Sequence, residues 1–238
     1  IGTSIYCLMV LTIAHRGASG HALENTLSAF RKALELKADI IEFDVRSTLD
    51  GKIVIIHDDD VARTTNGQGF VSKLRLEELS RFSTLNGEKV PLLENALELL
   101  GGHCKIKIDI KNSGFEEKLI EMLDNYATRN SVILTTELPS VIKRIREFEE
   151  RIPLEYGFPK KEPIETMLAK VVQVKANIVS PYYTLASKEL VNSAHKAGLA
   201  VNVWTVNDIK IANQMIEMGV DSITTDFPEI VPKKNAIK

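Results

Sequence analysis

Lys105-Ile106-Lys107-Ile108-Asp109-Ile110-Lys111 alternates charge with isoleucine, and Ile40-Ile41-Glu42-Phe43-Asp44-Val45 sets two carboxylates inside an apolar run. Successive side chains of a strand point to opposite faces, so Lys107, Asp109 and Lys111 share one side, as do Glu42 and Asp44. Burying such charges costs several kcal/mol unless a metal or a partner compensates. A parallel α/β barrel gives them a place. The polar side of a barrel strand faces the interior, which opens into the active site at the C-terminal ends of the strands.

Working outward, short β-rich runs alternate with amphipathic helical stretches along the whole chain, the pattern of a parallel α/β sheet. Strands are predicted at Leu11 to His15, Ile40 to Val45, Ile53 to His57, Lys105 to Ile110, Ser131 to Thr135, Leu154 to Phe158, Asn177 to Ser180, Ala200 to Thr205 and Ser222 to Thr225. Nine candidates compete for eight barrel places. The third is the extra one, because Leu49-Asp50-Gly51-Lys52 carries the Asp-Gly signal of a tight hairpin. Too few residues separate it from the second strand for a helical crossover, so the two run antiparallel, with Asp44 roughly opposite His57. Helical faces are predicted from Leu27, Phe30 and Leu34, from Leu93, Leu97 and Leu100, and from Ile209, Ala212 and Ile216. Asn25 is the expected N-cap of the first helix, and Gly198 and Gly219 the expected ends of two later ones.

The expected fold is therefore a TIM-type (β/α)₈ barrel, a single catalytic domain over residues 1–238. Residues 58–91 break the pattern as a small insertion over the barrel mouth, turn-rich at Asn66-Gly67-Gln68-Gly69 and helical near Leu76 to Phe82. At 238 residues, 44% hydrophobic and 26% charged with a net charge of −2, the composition excludes disorder and a nucleic-acid footprint. Cys7 and Cys104 match no metal or redox spacing and read as reduced thiols of a cytoplasmic protein. The apolar run Ile5 to Ala14 is shorter than the ~20 residues a membrane helix needs, so no stable membrane insertion is expected. Cleavage of a leader near Ala14 or Ala18 would cut beside or through the His15 motif, which disfavours a signal peptide, and Met9 offers an alternative start.

Three carboxylates from two strands, Glu42, Asp44 and Asp109, form an all-oxygen set suited to one divalent ion, Mg²⁺ or Ca²⁺. The alternative is a set of internal ion pairs in which Lys107 and Lys111 neutralise them. His15 and His57 each end a strand at the same end of the sheet, where imidazoles can serve as general acid and base. Arg16 offers a planar fork for a phosphate, Gly17 allows close backbone approach, and Lys111 adds a second positive charge.

The ordered set His15-Arg16-Gly17, Glu24-Asn25-Thr26, Glu42-Phe43-Asp44-Val45, His57-Asp58 and Ile108-Asp109-Ile110-Lys111 resembles the glycerophosphodiester phosphodiesterase family. The likeness continues through Arg63-Thr64-Thr65-Asn66-Gly67, Val203-Trp204-Thr205-Val206-Asn207 and Gly219-Val220-Asp221-Ser222-Ile223-Thr224-Thr225-Asp226. The resemblance implies a TIM barrel that hydrolyses small glycerophosphodiesters to glycerol 3-phosphate and an alcohol with a divalent metal. It also implies His15 and His57 as the acid/base pair, Glu42, Asp44 and Asp109 as metal ligands, and Arg16 and Lys111 as phosphate contacts. The family usually has Glu where this chain has Asp109, one methylene shorter. Asn25, Glu24 and Asp226 belong to the motifs but have plain alternatives as a cap, a supporting residue and a strand-end acceptor, and stay outside the catalytic set. Trp204 either lines the glycerol pocket or packs in the core, and Tyr182 and Tyr183 are similarly ambiguous. Rival functions are a lysophospholipase D and a catalytically silent phosphate-binding barrel. Monomer and homodimer are both compatible with the sequence.

Overall fold

The computed structural model describes residues 10–232; the expectations placed on Cys7, on Met9 and on the first part of the run Ile5 to Ala14 lie outside them. The chain runs through β1 (Leu11–Ala14), α1 (Leu27–Glu35), β2 (Ile40–Ser47), β3 (Ile53–Ile55), α2 (Leu76–Leu79), α3 (Leu93–Leu100), β4 (Lys105–Ile110), α4 (Glu116–Asn125) and β5 (Val132–Thr136). It continues with α5 (Pro139–Arg146), β6 (Leu154–Phe158), α6 (Ile164–Gln173), β7 (Ile178–Pro181), α7 (Lys188–Lys196), β8 (Ala200–Val203), α8 (Ile209–Met218) and β9 (Ser222–Thr225). Eight parallel strands close on themselves in the order β1-β2-β4-β5-β6-β7-β8-β9, with β1 pairing both β2 and β9. Between the strands and the surrounding helices lies the apolar core, which includes Phe30 and Phe43 with ring centroids 5.3 Å apart.

The ninth strand explains how a regular barrel acquires an irregular rim. β2 pairs β4 from Ile40 to Val45. On its other edge, Ile40 and Ile41 face β1, while Val45, Arg46 and Ser47 pair antiparallel with β3. β3 therefore takes over the edge of β2 that β1 leaves free at the C-terminal end. Ile56 N donates to Asp44 O at 3.1 Å, so Ile56 rather than His57 lies opposite Asp44. His57 sits one residue further, past the end of β3.

Two local expectations are corrected. Thr26, not Asn25, caps α1, its hydroxyl accepting from Ala29 N; Asn25 has a φ of +58° and turns its amide to Asp44. On α8 Ala212 and Met215 are buried and Ile216 packs partly buried against the core as expected, while Ile209 is 55% exposed. Gly219 does close α8 in the left-handed conformation, with φ +89°. The segment after β3 builds a small apolar cluster of its own: Val54, Ile56, Val61, Val71 and Leu79, with Leu74, Leu76 and Phe82 against it.

The barrel interior is polar below its mouth. Lys107 is buried and pairs with Glu155 on β6, not with Glu42, Asp44 or Asp109. Thr135 Oγ1 and Asn202 Nδ2 also donate to Glu155, at 3.3 and 3.2 Å. Asn202 further bonds Ser180 at 2.9 Å and accepts from Ser222 at 2.9 Å and Thr224 at 3.2 Å. Buried polar groups of this kind are tolerated only when satisfied, and this network satisfies them mutually. Among the described residues, no helix is long and apolar enough to cross a membrane.

Candidate active site

The turn after β1 is built by backbone geometry that few sequences allow. Arg16 has a φ of +54° and Gly17 a φ of +81°. A Cβ on Gly17 would lie 2.7 Å from the carbonyl carbon of Ala29, so only glycine fits against α1. The turn directs Arg16 N to Glu42 Oε2 at 2.7 Å and Gly17 N to Glu42 O at 3.0 Å. Arg16 Nη1 donates to Glu24 Oε1 at 2.7 Å, and its Nε, buried and without a hydrogen bond, stands 3.2 Å from Asp44 Oδ2.

Glu42, Asp44 and Asp109 converge: one oxygen from each lies within 4.8 Å of the others. Glu42 and Asp44 are buried and Asp109 is partly so. Facing them are Arg16 and Lys111, whose Nζ is 3.0 Å from Asp44 Oδ1 and 2.7 Å from Asp109 Oδ2. With Lys107 held by Glu155, three carboxylates meet two permanent cations. Burial, with Asp44 and Asp109 adding to it against His15 and Arg16, raises the Glu42 carboxyl from 4.5 to about 7. Burial also raises Asp109, against Lys111. Asp44 is held well below the usual carboxylate range despite its burial, by Lys111, Arg16, His57 and the Asn25 amide, which donates at 2.7 Å. The internal ion pairs are thus real for Lys111 and leave negative charge uncompensated at Glu42. Oxygens this close, with that surplus, fit a hard divalent cation.

Each histidine is held from behind by an aspartate. His15 Nδ1 meets Asp226 Oδ1 at 2.6 Å, leaving Nε2 as the other ring nitrogen. Asp226 also accepts from Ser19 Oγ at 2.8 Å and from Asn207 Nδ2, and these bonds outweigh burial to hold its carboxyl at about 2. His57 Nδ1 meets Asp58 Oδ1 at 2.7 Å. Burial lowers the His57 pKa, with Asp44 opposing and Arg16 and Lys111 reinforcing, so its neutral form is favoured.

All of these groups except Asp44 line, or directly support, one open cavity of about 520 Å³ at the C-terminal mouth. His15, Arg16, Glu42, His57, Asp109 and Lys111 are on its wall, and Asp44 lies just behind, bonded to Asn25 and Lys111. Trp204 also lines it, its indole N–H donating to Ser180 O at 3.0 Å and its ring meeting Tyr182 edge-on. Glu137, just past the end of β5, lies in the same wall although no motif marks it in the sequence. Burial raises its carboxyl, with Lys111 opposing and Asp109 reinforcing. Asp226 and Asp58 likewise carry more than their place in the motifs suggests, each holding a histidine Nδ1. Asp226 lies 211 positions from His15, a separation at which spacing carries no signal.

Residues 15–230 match the Glycerophosphoryl diester phosphodiesterase family. A glycerophosphodiester phosphodiesterase of Caldanaerobacter subterraneus is 36% identical over 93% of this chain and 96% of its own length. One from Bacillus altitudinis is 32% identical with the same coverage. Among solved structures, the glycerophosphodiester phosphodiesterase of Thermotoga maritima superposes with a TM-score of 0.78 at 27% identity, covering 93% of this chain and 96% of that one. A phosphodiesterase of Oleispira antarctica, solved in complex with its product sn-glycerol-3-phosphate, gives 0.87 at 24% identity, covering 95% and 96%. The chain belongs to the glycerophosphoryl diester phosphodiesterase family, and is a phosphoric diester hydrolase built on a TIM-type barrel.

Proposed function

We propose that this enzyme hydrolyses small glycerophosphodiesters to glycerol 3-phosphate and an alcohol, with His15 and His57 as acid and base and Glu42, Asp44 and Asp109 holding one Mg²⁺ or Ca²⁺. The observation that carries this is the convergence of three carboxylates and two aspartate-backed imidazoles on one cavity. The product bound to the Oleispira relative supports the same substrate class. When bound, the ion supplies charge neutralisation at the phosphodiester. Residues 58–91 act as an insertion over the mouth of a single catalytic barrel, and a cytoplasmic setting with Cys104 reduced belongs to the same proposal.

The chain's own groups divide the remaining work. Arg16 and Lys111 grip the phosphate oxygens as permanent cations. His57, favoured in its neutral form, removes the proton of the nucleophile. His15, backed by the ionised Asp226, carries the proton delivered to the leaving alkoxide. The nucleophile is water or the substrate's own 2-hydroxyl, and turnover of a diester lacking that hydroxyl separates the two. A lysophospholipase D would need an apolar lip on the insertion. Here Val61, Val71 and Leu79 are buried in their own cluster with Leu74 and Leu76 packed on it, and the exposed large hydrophobics of the segment are Phe70 and Leu85, so activity on lysophosphatidylcholine decides between the two substrates.

The test is chelator-stripped protein given glycerophosphodiesters with Mg²⁺, Ca²⁺ or Mn²⁺ while glycerol 3-phosphate is measured, with lysophosphatidylcholine as the competing substrate. His15→Ala and His57→Ala should each lower kcat by about 10²–10⁴-fold, the usual contribution of general acid–base catalysis. A variant retaining near wild-type rate removes that histidine from the pair.

A further inference from the structure

Beyond Asp58, the segment after β3 reaches the candidate site through the side chain of Arg63. Arg63 ends the 3₁₀ turn Val61–Arg63 and places its guanidinium between two carboxylates. Its Nη1 and Nη2 donate to Glu24 Oε2 and Oε1 at 2.8 and 2.7 Å, and its Nε donates to Asp58 Oδ2. Each carboxylate then passes the contact inward. Asp58 turns its other oxygen to His57 Nδ1, and Glu24 Oε1 accepts Arg16 Nη1. We propose that Arg63 is a positioning residue that sets the His57 ring and the Arg16 fork at the same time.

An exposed ion pair is ordinarily worth little, about 0–1 kcal/mol. This one differs in geometry: the guanidinium uses all three of its nitrogens, two of them in a fork on one carboxylate. Arg63 is 48% exposed, so it fills no core, while Glu24 and Asp58 are 19% and 29% exposed. Without Arg63 the Asp58 carboxylate is free to rotate, and His57 loses a fixed acceptor for its Nδ1 proton. Glu24 likewise loses its fork and can draw Arg16 away from the mouth. The backbone around Arg63 is held independently. Val61 is buried, Thr65 N donates to Val61 O at 3.1 Å, and Leu85 N donates to Thr64 O at 3.0 Å. Replacing the side chain therefore leaves the segment folded.

This proposal rests on the roles assigned above to His57 and Arg16, and its test separates the two. Kinetic constants for glycerophosphocholine, and calorimetric affinity for sn-glycerol 3-phosphate, are compared across wild type, R63A, D58A, E24A and the doubles R63A/D58A and R63A/E24A. R63A should lower kcat/KM by about 10–100-fold, the range seen when a supporting partner of a site residue is lost. The loss should divide, with a lower kcat matching D58A and a weaker product affinity matching E24A. Each double should then fall short of the sum of its singles. Nitrogen NMR of the His57 ring reads the same contact without turnover: wild type should hold the Nδ1–H tautomer, and R63A a mixture. Constants within twofold of wild type in R63A, or an unchanged tautomer, would overturn the proposal. Wild-type protein that releases no glycerol 3-phosphate under any metal refutes the functional reading instead, and the tautomer then decides Arg63 alone.

Discussion

Replacing Glu42 by glutamine should raise the stability of the metal-free enzyme at pH 8, the reverse of what altering a buried, hydrogen-bonded residue ordinarily does. Glu42 is 3% exposed, and burial, with Asp44 and Asp109 against His15 and Arg16, raises its carboxyl from 4.5 to about 7. An acid with a raised folded-state value holds its proton longer in the folded protein. Its stabilising contribution is therefore fully present below 4.5 and is lost as pH climbs through about 7. At about 1.4 kcal/mol per tenfold change in proton affinity, the loss at pH 8 reaches about 3 kcal/mol. Glutamine keeps an oxygen to accept Arg16 N, bonded at 2.7 Å, and removes the ionisation. E42Q should then melt above wild type by up to about 6–12 °C at pH 8, taking about 2–4 °C per kcal/mol for a chain of this size. At pH 5 the two should nearly coincide. A divalent ion relieves the same repulsion in wild type and at a hundredfold excess over Kd adds about 3 kcal/mol; in E42Q that rise should shrink. Calorimetric melting of chelator-stripped protein at both pH values, with and without Mg²⁺ or Ca²⁺, measures all four quantities. E42Q melting below wild type at pH 8 without metal, or an equal metal-induced rise in both proteins, would refute the reasoning.

Two further substitutions probe the geometry. D226N removes the charge behind His15 while keeping its shape, and kcat should fall by about 10²-fold or more with KM changed only a few-fold, since an amide can orient the wrong tautomer. Steady-state kinetics check it, and an unchanged kcat would make Asp226 a structural acceptor only. G17A forces a side chain into a φ of +81° and a Cβ to 2.7 Å from the Ala29 backbone, so unfolding in urea should show a loss of about 3 kcal/mol or more.

Much of the fold was legible because barrel strands write their two faces into the sequence. The alternation Lys105 to Lys111 announced a polar interior, and Asp50-Gly51 announced the antiparallel turn that disqualified β3 from the ring. The candidate ligands were legible for the same reason, since Glu42 and Asp44 are two apart on β2 and Asp109 is level with Asp44 on β4. What failed depended on contacts between distant residues. Asn25 is a good capping type in a capping place, yet Asp44 claims its amide and Thr26 caps instead. Lys107 seemed available to the acidic cluster because its partner Glu155 lies 48 positions away. A signal for that pair did exist: Glu155 is itself a carboxylate inside an apolar strand, the same anomaly that drew attention to Glu42. Ile209 shows the limit of periodicity at a helix start, where one residue of phase decides between core and solvent.

The candidate site arises where the chain departs from the βα repeat, and the departure has a mechanical cause. In a regular barrel each strand is flanked along its whole length, so its C-terminal end can present only its own side chains. β2 is eight residues long and pairs β1 only at Ile40 and Ile41, so that its last three residues, Val45 to Ser47, leave an edge that β1 does not reach. An exposed edge invites pairing, and β3 fills it from the same chain, running back toward the mouth and delivering His57 and Asp58 beside Asp44. The extra strand brings with it the segment that carries Arg63, whose guanidinium ties Asp58 to Glu24, on the far side of the turn that holds His15 and Arg16. One overlong strand thus accounts for the second histidine, its aspartate and the bridge between the two halves of the site, which is why a barrel of repeating units has its candidate chemistry concentrated between β1 and β4.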